Sequence, residues 1–207
     1  FNREIWEATG LARLDKVTSR SFSSNKNEEG TYDDPIRAID DSYSRSYTTT
    51  DYAGSWLGTG AVNRDHAPVV QNGISWSFDG LHTFTRTSID QLFNPLLWAN
   101  LGKTVLYETT THSWSTDESV SDTLSNPWNT TIYGGGSYAN PLAQSDGSKN
   151  KSTLFTTYHD SFNVTTSKPT NIAPEAVGTS WSFDGTALEF QADGIAHDRR
   201  VGRRSLA

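Results

Sequence analysis

A six-residue string that occurs twice constrains this chain more than any other feature of its sequence. The string SWSFDG at residues 75–80 returns letter for letter at residues 180–185, 105 residues later. An aromatic residue followed by two threonines precedes each copy, at residues 47–49 and 155–157. Self-similarity at a long, fixed offset is typical of a structural unit that is used more than once. The repeat therefore predicts one β-unit that is present twice.

Length and composition favour an all-β fold. The chain has 207 residues, enough for one large β domain or for two domains of about 100 residues each. Ser and Thr account for 51 residues, and their hydroxyl groups compete for backbone hydrogen bonds inside helices but suit strands and turns. We predict a mainly antiparallel β-sandwich or barrel, built from an internally duplicated β-unit, with one or two short helices. Its halves would be residues 1–105 and 106–207, either separate or fused as one domain.

The strongest local pattern surrounds the first copy of the repeat. Large apolar residues alternate with serines over residues 74–78, which predicts a strand. The pair Asn72-Gly73 predicts a turn before this strand, and Asp79-Gly80 predicts a two-residue hairpin turn after it. Trp76 and Trp181 alternate with phenylalanines in the two copies. Both tryptophans are therefore predicted to lie in the core.

Other segments predict helices, a loop and a hydrated strand. Apolar residues at helical spacing predict a short helix within residues 3–17 and a second one over residues 88–101, capped at Ser88. Residues 23–42 are polar and rich in turn formers, which predicts a long loop. Ser, Thr or Asp occupies every odd position over residues 113–125. That alternation predicts a strand with one fully hydrated face.

Charge and cysteine content exclude several classes of protein. The net charge is −7, which argues against nucleic-acid binding by the body of the protein, since phosphate affinity depends on clustered Lys and Arg. The basic cluster between Arg199 and Arg204 is interpreted as a solvated or docked tail, with dibasic processing sites and a nucleic-acid arm as alternatives. The chain has no cysteine, so disulfides and thiol catalysis are excluded. No apolar run reaches the roughly 20 residues that span a bilayer.

Three glycosylation sequons permit a secreted glycoprotein. They begin at Asn129, Asn150 and Asn163. The chain also lacks methionine and starts at Phe1, which predicts removal of a leader segment. We therefore predict an extracellular protein, with a homo-oligomer as an open alternative.

Five residues are the candidate ligand-binding positions. Trp56, Trp114 and Trp128 lie among Ser, Thr, Gly and Asn. This pattern is interpreted first as tryptophans that cover the edges of the core. The alternative is ligand binding, because an exposed indole beside amides and carboxylates is suited to stacking on a sugar ring. Asp79 and Asp184 recur with the repeat and are interpreted mainly as turn residues that bond nearby amides. Their alternative role is to accept hydrogen bonds from sugar hydroxyls or to hold Ca²⁺. The histidines show no metal-binding spacing, and the sequence predicts neither a metal nor a cofactor.

Three functional hypotheses follow. The first is a non-enzymatic recognition protein, secreted and carbohydrate-binding, with a glycan or another small molecule as its ligand. The second is a β-barrel enzyme that acts on a small apolar molecule in a lipocalin-like pocket. The third is a β-pore-forming toxin, because the Ser- and Thr-rich stretch at residues 109–125 is similar in composition to the insertion hairpins of aerolysin-like proteins.

Overall fold

The strands follow one another through a single antiparallel sheet. A computed structural model describes residues 1–116, 136–185 and 189–193. The elements of these residues are α1 (Arg3–Thr9), β1 (Lys16–Phe22), β2 (Tyr43–Asp51), β3 (Val69–Phe78), β4 (Phe84–Phe93), α2 (Pro95–Leu101), β5 (Leu106–Thr116), β6 (Lys149–Thr157), β7 (Glu175–Phe183) and β8 (Glu189–Asp193). Each strand pairs with the next one along the chain, so the order in the sheet is β1 to β8.

The prediction of a mainly antiparallel all-β fold with short helices is confirmed. The described strands lie in one sheet, and β4 pairs with β5 along ten residues across the expected boundary at residue 105. Strands of both predicted halves therefore share one hydrogen-bonded sheet. The division into halves and the internal duplication stay predictions from the sequence.

Both helices are shorter than predicted, and capping explains their ends. The Asn2 side chain accepts a hydrogen bond at the start of α1, and Gly10 ends the helix in the left-handed conformation. The predicted helix at residues 88–101 is wrong in its first half, because residues 88–93 belong to β4. Asn94 instead caps α2, and Pro95 occupies its first turn, where a missing N–H costs nothing.

The turns around β3 also differ from the prediction. Asn72-Gly73 lies inside β3, where the register with both neighbouring strands shifts, so this pair forms a β-bulge and not a turn. Phe78 pairs with Phe84, so the turn at Asp79-Gly80 extends over residues 79–83 and is longer than the predicted two residues. The loop predicted at residues 23–42 and the strand that follows it are present.

One face of the sheet, which we call the aromatic face, carries a row of alternating cations and indoles. Register places Arg45, Trp76, Arg86, Trp114, Lys151 and Trp181 directly opposite one another across β2 to β7. The cationic groups of Arg45, Arg86 and Lys151 lie 5.3, 5.5 and 5.5 Å from the ring centroids of Trp76, Trp114 and Trp181. Such cation–π contacts stabilise partly desolvated charges, so this row links six strands.

The opposite face carries hydroxyl groups. Register aligns one hydroxyl residue from each of the first seven strands: Ser21, Ser46, Ser75, Thr87, Ser113, Ser152 and Ser180. Two of these side chains are hydrogen-bonded to each other, with 2.8 Å between Thr87 Oγ1 and Ser113 Oγ. The high Ser and Thr content of the chain therefore supplies the polar face of a single sheet.

The glycines that end the two copies of SWSFDG have the same backbone conformation. Gly80 and Gly185 have φ of 85° and 83°, and a Cβ on either glycine would press against the backbone carbonyl of an aspartate, Asp40 or Asp146. Because of this close approach, glycine is required at the last position of both copies. The two aspartates are themselves held by hydrogen bonds: those from Ser42 keep the pKa of Asp40 below its usual value, and those from Ser148 do the same for Asp146.

Trp76 and Trp181 differ in burial although their sequence contexts are identical. Trp76 is 8% exposed, and its ring contacts Tyr43 and Phe84 at centroid distances of 5.2 and 5.6 Å. Trp181 is only half-buried on β7. The predicted core position is confirmed for Trp76 and is wrong for Trp181.

Candidate functional site

A polar groove crosses the aromatic face at the end opposite the SWSFDG turns. It consists of two adjoining cavities of about 280 and 350 Å³, close to the lower end of the range of about 300–1,000 Å³ that small-molecule sites occupy. The first cavity is lined by Lys16, Thr18, Tyr47, Thr49, Asp51, Val69 and Gln71. The second is lined by Val70, Gln71, Asp90, Leu92, Glu108 and Thr110. Gln71 is common to both, and we call the combined depression the polar groove.

The bulge in β3 shapes the middle of the groove. Val70 pairs with Gln91 and Gly73 pairs with Ile89, so two residues of β3, 71 and 72, lie opposite Asp90 alone. A bulge of this kind bends its strand and redirects side chains. The Gly73 position is tight as well, because an added Cβ would lie 2.9 Å from the carbonyl oxygen of Ile89. The bulge therefore opens the sheet where Gln71 enters both cavities.

Charged and hydroxyl groups line the first cavity. Lys16 Nζ lies 3.7 Å from Asp51 Oδ2, with both side chains more than a third exposed, and an exposed pair of this kind contributes little to stability. The Thr18 and Thr49 hydroxyl groups lie 3.2 Å apart. These groups can exchange their present hydrogen bonds for bonds to a ligand with hydroxyl groups, because each has donor or acceptor capacity to spare.

A histidine and a tyrosine position a carboxylate in the second cavity. His159 Nε2 and Glu108 Oε1 are 2.8 Å apart, and the His159 ring stacks on Tyr107 with a centroid distance of 4.0 Å and an interplanar angle of 13°. The Glu108 side chain is 25% exposed. The stacked ring therefore restrains Glu108 while leaving it accessible from the groove.

Trp56 lies outside the groove and packs beside α2. Its Nε1 donates to the Leu14 carbonyl at 2.8 Å. Its ring is stacked 6.2 Å from Tyr52, lies edge-on 5.2 Å from Trp98, and has the Arg13 guanidinium 4.8 Å from its centroid. These neighbours give Trp56 a packing role at this end of the sheet. Its predicted part in ligand binding stays a prediction.

Of the other two candidate tryptophans, the structure describes Trp114. Trp114 is 8% exposed, which agrees with the interpretation that it covers the core, and it occupies the cation–indole row between Arg86 and Lys151. Within the described residues its Nε1 has no hydrogen-bond acceptor. Trp128 lies outside the described residues.

The Asp79 carboxylate is engaged by its own turn. Asp79 Oδ1 accepts hydrogen bonds from the backbone N–H groups of Leu81, His82 and Thr83 at 2.9, 3.0 and 3.0 Å. The bond from Thr83 is the largest of the causes that lower the pKa of Asp79 to about 2. This geometry matches the turn role that the sequence favours. Asp184 is exposed just after β7.

Sequence reasoning did not find the residues of the polar groove. They come from five strands, and each polar one stands singly in an ordinary strand pattern. The Asn72-Gly73 pair was the available signal, because a Gly inside a strand often marks a bulge. Over residues 1–116, 136–185 and 189–193 there is no group of three or more His, Cys, Asp and Glu side chains that could hold a metal ion. No helix in those ranges is long and apolar enough to cross a membrane.

Neither the known family models, nor the curated proteins, nor the solved structures gave a match to this chain. The function is therefore inferred from the geometry of the groove.

Proposed function

We propose that this protein is a non-enzymatic recognition protein that binds a glycan in the polar groove. The observation that carries the proposal is the combination of lining groups in two adjoining cavities of 280 and 350 Å³. Carboxylates, an amide and hydroxyls surround a few apolar groups there. A sugar ring needs the same combination, since its hydroxyls form hydrogen bonds and its C–H groups pack on apolar side chains.

Distribution of the polar groups supports a ligand with many hydroxyls. Asp51, Asp90 and Glu108 can only accept hydrogen bonds when ionised, whereas the Gln71 amide can both donate and accept. Leu92 is 44% exposed in the second cavity and supplies an apolar surface beside these groups. A polyol satisfies both classes of partner, because each hydroxyl is a donor and an acceptor.

The polarity of the groove favours this function over an enzyme with an apolar pocket. The described strands pair in sequential order, an order that up-and-down barrels of the lipocalin type also use. Pockets for apolar molecules are lined mainly by hydrophobic side chains, whereas most of the side chains around both cavities of the groove are polar. The pore-forming alternative stays a prediction from the composition of residues 109–125.

We also propose that the protein is secreted and glycosylated. Asn163 supports this proposal: it is exposed in a loop, and its Oδ1 accepts hydrogen bonds from the N–H groups of Thr165 and Thr166 at 3.0 and 2.9 Å. Asn150 is less suitable, because it is half-buried in the paired strand β6. The Asn129 sequon lies outside the described residues.

A glycan array followed by isothermal titration calorimetry tests the proposed function. We expect a coherent set of glycans to bind, and we expect Gln71→Ala to weaken binding at least tenfold, because this side chain is common to both cavities. Ser46→Ala is the matched control, since Ser46 lies on β2 but on the hydroxyl face. An array without binding, or equal affinity of both variants and the parent protein, would refute the proposal.

A further inference from the structure

Two lysines on the aromatic face have no anionic partner in the part of the chain that the structure describes. Lys149 and Lys151 are half-buried on β6, two positions apart, so both side chains project from this face. Among the described residues, neither ammonium forms a salt bridge or donates a hydrogen bond. Repulsion between like charges is stronger where water is partly excluded. An anion at this place would offset it.

Strand register shows what surrounds Lys151 on the aromatic face. Its direct neighbours are Trp114 on β5 and Trp181 on β7. None of the side chains two positions further along these three strands carries a carboxylate. These residues are His112, Thr116, Lys149, Thr153, Thr179 and Phe183. The sheet around Lys151 therefore offers rings, hydroxyls and a second ammonium, but no acidic group.

Two aromatic rings flank the Lys151 ammonium. Its Nζ lies 5.4 Å from the ring centroid of Tyr138, in the loop before β6, and 5.5 Å from that of Trp181. Cation–π attraction holds the ammonium between the rings, but a ring face leaves its three N–H groups without oxygen acceptors. Both Lys151 and Trp181 are only half-buried. The ammonium and part of an indole can therefore be reached from solvent.

Two uncharged donors beside Lys151 also lack acceptors. Trp114 is 8% exposed, and its Nε1 has no hydrogen-bond partner among the described residues. A buried N–H group without an acceptor destabilises the fold. The Tyr138 hydroxyl accepts a hydrogen bond from Thr153 Oγ1 at 2.7 Å, and its own proton has no acceptor in the described ranges.

A short hydrogen-bond chain fixes the position of the Tyr138 hydroxyl. His112 Nδ1 lies 3.0 Å from Thr153 Oγ1, and the rings of His112 and Tyr138 are 4.8 Å apart. Because Thr153 donates to Tyr138, the His112 nitrogen is the donor to Thr153. Donors from Tyr138, Trp114 and Lys151 thus meet in one place without an acceptor opposite them.

We propose that Lys151, Trp114 and Tyr138 form a binding site for the carboxylate of an aromatic acid. A carboxylate only accepts hydrogen bonds and has about four acceptor positions, which suits a site made of donors. Its charge offsets the two lysines through charge-assisted hydrogen bonds. The aromatic body of the ligand stacks on the exposed part of Trp181. This site is distinct from the polar groove, which lies at the opposite end of the strands, and goes beyond the proposed glycan binding.

Three ligands test the proposal: 2-naphthoate, the uncharged 2-naphthamide of the same shape, and glucuronate, which carries a carboxylate on a polar ring. Isothermal titration calorimetry at pH 7 and low salt measures each affinity. We expect 2-naphthoate to bind at least tenfold more tightly than the other two, because only this ligand supplies both the charge and the aromatic body. Added salt should weaken its binding.

Single substitutions locate the site. Lys151→Met keeps most of the apolar stem and removes the ammonium, so it should weaken binding of 2-naphthoate at least tenfold. Tyr138→Phe and Trp114→Phe keep an aromatic ring and remove one donor, and each should weaken binding at least threefold. Lys26→Gln removes a positive charge from an exposed loop, and Gln71→Ala alters the polar groove. Both control variants should bind 2-naphthoate like the parent protein.

Each contrary result overturns the proposal at a different point. Equal affinity for 2-naphthoate and 2-naphthamide would show that the site does not recognise charge, and equally tight binding of glucuronate would refute the aromatic class. Unchanged binding by Lys151→Met would place the site elsewhere, and absence of 2-naphthoate binding would refute the site itself. None of these results affects the glycan proposal, which glycan titrations of Gln71→Ala test. Circular dichroism verifies each fold, and Tyr138→Phe at a half-buried loop position decides if Trp114→Phe does not fold.

Discussion

The two copies of SWSFDG allow the packing argument to be tested in identical sequence contexts. Trp76→Ala removes an indole that is 8% exposed. A buried tryptophan contributes about 150–250 Å², which at about 25 cal/mol/Å² corresponds to an upper estimate of roughly 4–6 kcal/mol. Measured losses for aromatic-to-alanine changes in cores are about 3–5 kcal/mol. We expect Trp76→Ala to lower the free energy of unfolding by about 4 kcal/mol.

Trp181→Ala is the matched comparison. Trp181 is half-buried, and its described contact is with the Lys151 ammonium, 5.5 Å from the ring centroid. With half of the area buried, we expect about half of the loss at Trp76, which is about 2 kcal/mol. Because the residues on either side are the same in both copies, the difference between the two variants reports the environment of the ring alone.

Urea unfolding followed by far-UV circular dichroism measures both losses through linear extrapolation. If Trp76→Ala is unfolded without denaturant, Trp76→Phe replaces it, with an expected loss of about half as much because most of the aromatic area is retained. Losses that agree within about 1 kcal/mol, or a larger loss at Trp181, would refute the argument that strand position in the sheet sets the burial of the repeated tryptophan.

Three further predictions concern the turns and the helix cap. Gly80→Ala should destabilise the protein by at least about 1–3 kcal/mol, since the φ of Gly80 is 85° and the Asp40 carbonyl occupies the space of a Cβ. Gly58→Ala is the control, because a Cβ at Gly58 meets nothing within 4 Å. Thermal melts should show a lower melting temperature for Gly80→Ala than for Gly58→Ala. The pKa of Asp79 falls from 3.8 to about 2 on folding, so its ionised form stabilises the fold fully above pH 4 and loses this effect as the pH falls through 2. The stability difference between the parent and Asp79→Ala should therefore shrink between pH 5 and pH 2 in urea titrations, and a constant difference would contradict the turn assignment. Asn94→Ala should lower the free energy of unfolding by about 1–2 kcal/mol, because Asn94 is 2% exposed and its side chain accepts hydrogen bonds from two backbone N–H groups at the start of α2. An unchanged melting temperature would show that this cap does not stabilise the protein.

Sequence patterns identified the fold class because its determinants are local. Alternation in residues 74–78 and the turn residue Asp79 were sufficient to place the second half of β3 and the position of the turn that follows it. Local patterns were ambiguous at residues 88–93, where Ile89, Leu92 and Phe93 fit a helix face as well as a strand. Pairing with β3 and β5 decides in favour of a strand there, and pairing is a tertiary effect that the segment alone does not encode.

The polar groove could not be predicted from the sequence for the same physical reason. Its residues are brought together by strand register, and a shift of one residue in a strand would move a side chain to the opposite face. Lys16 and Glu108, for example, share one face only because four successive register relations connect β1 to β5. The candidate tryptophans were chosen for their polar neighbours in sequence, whereas burial of Trp114 depends on the strands on either side.

The sequential order of the strands has a consequence for how the chain folds. Every pairing between the described strands joins neighbours in the element order, and pairings of this kind keep the sequence separation of contacts lower than pairings between distant strands do. Low contact order speeds folding, because less loop entropy is lost before native contacts form. During synthesis each strand can pair with the one before it as soon as it leaves the ribosome, so the sheet can be assembled from β1 onward without waiting for the C-terminal strands.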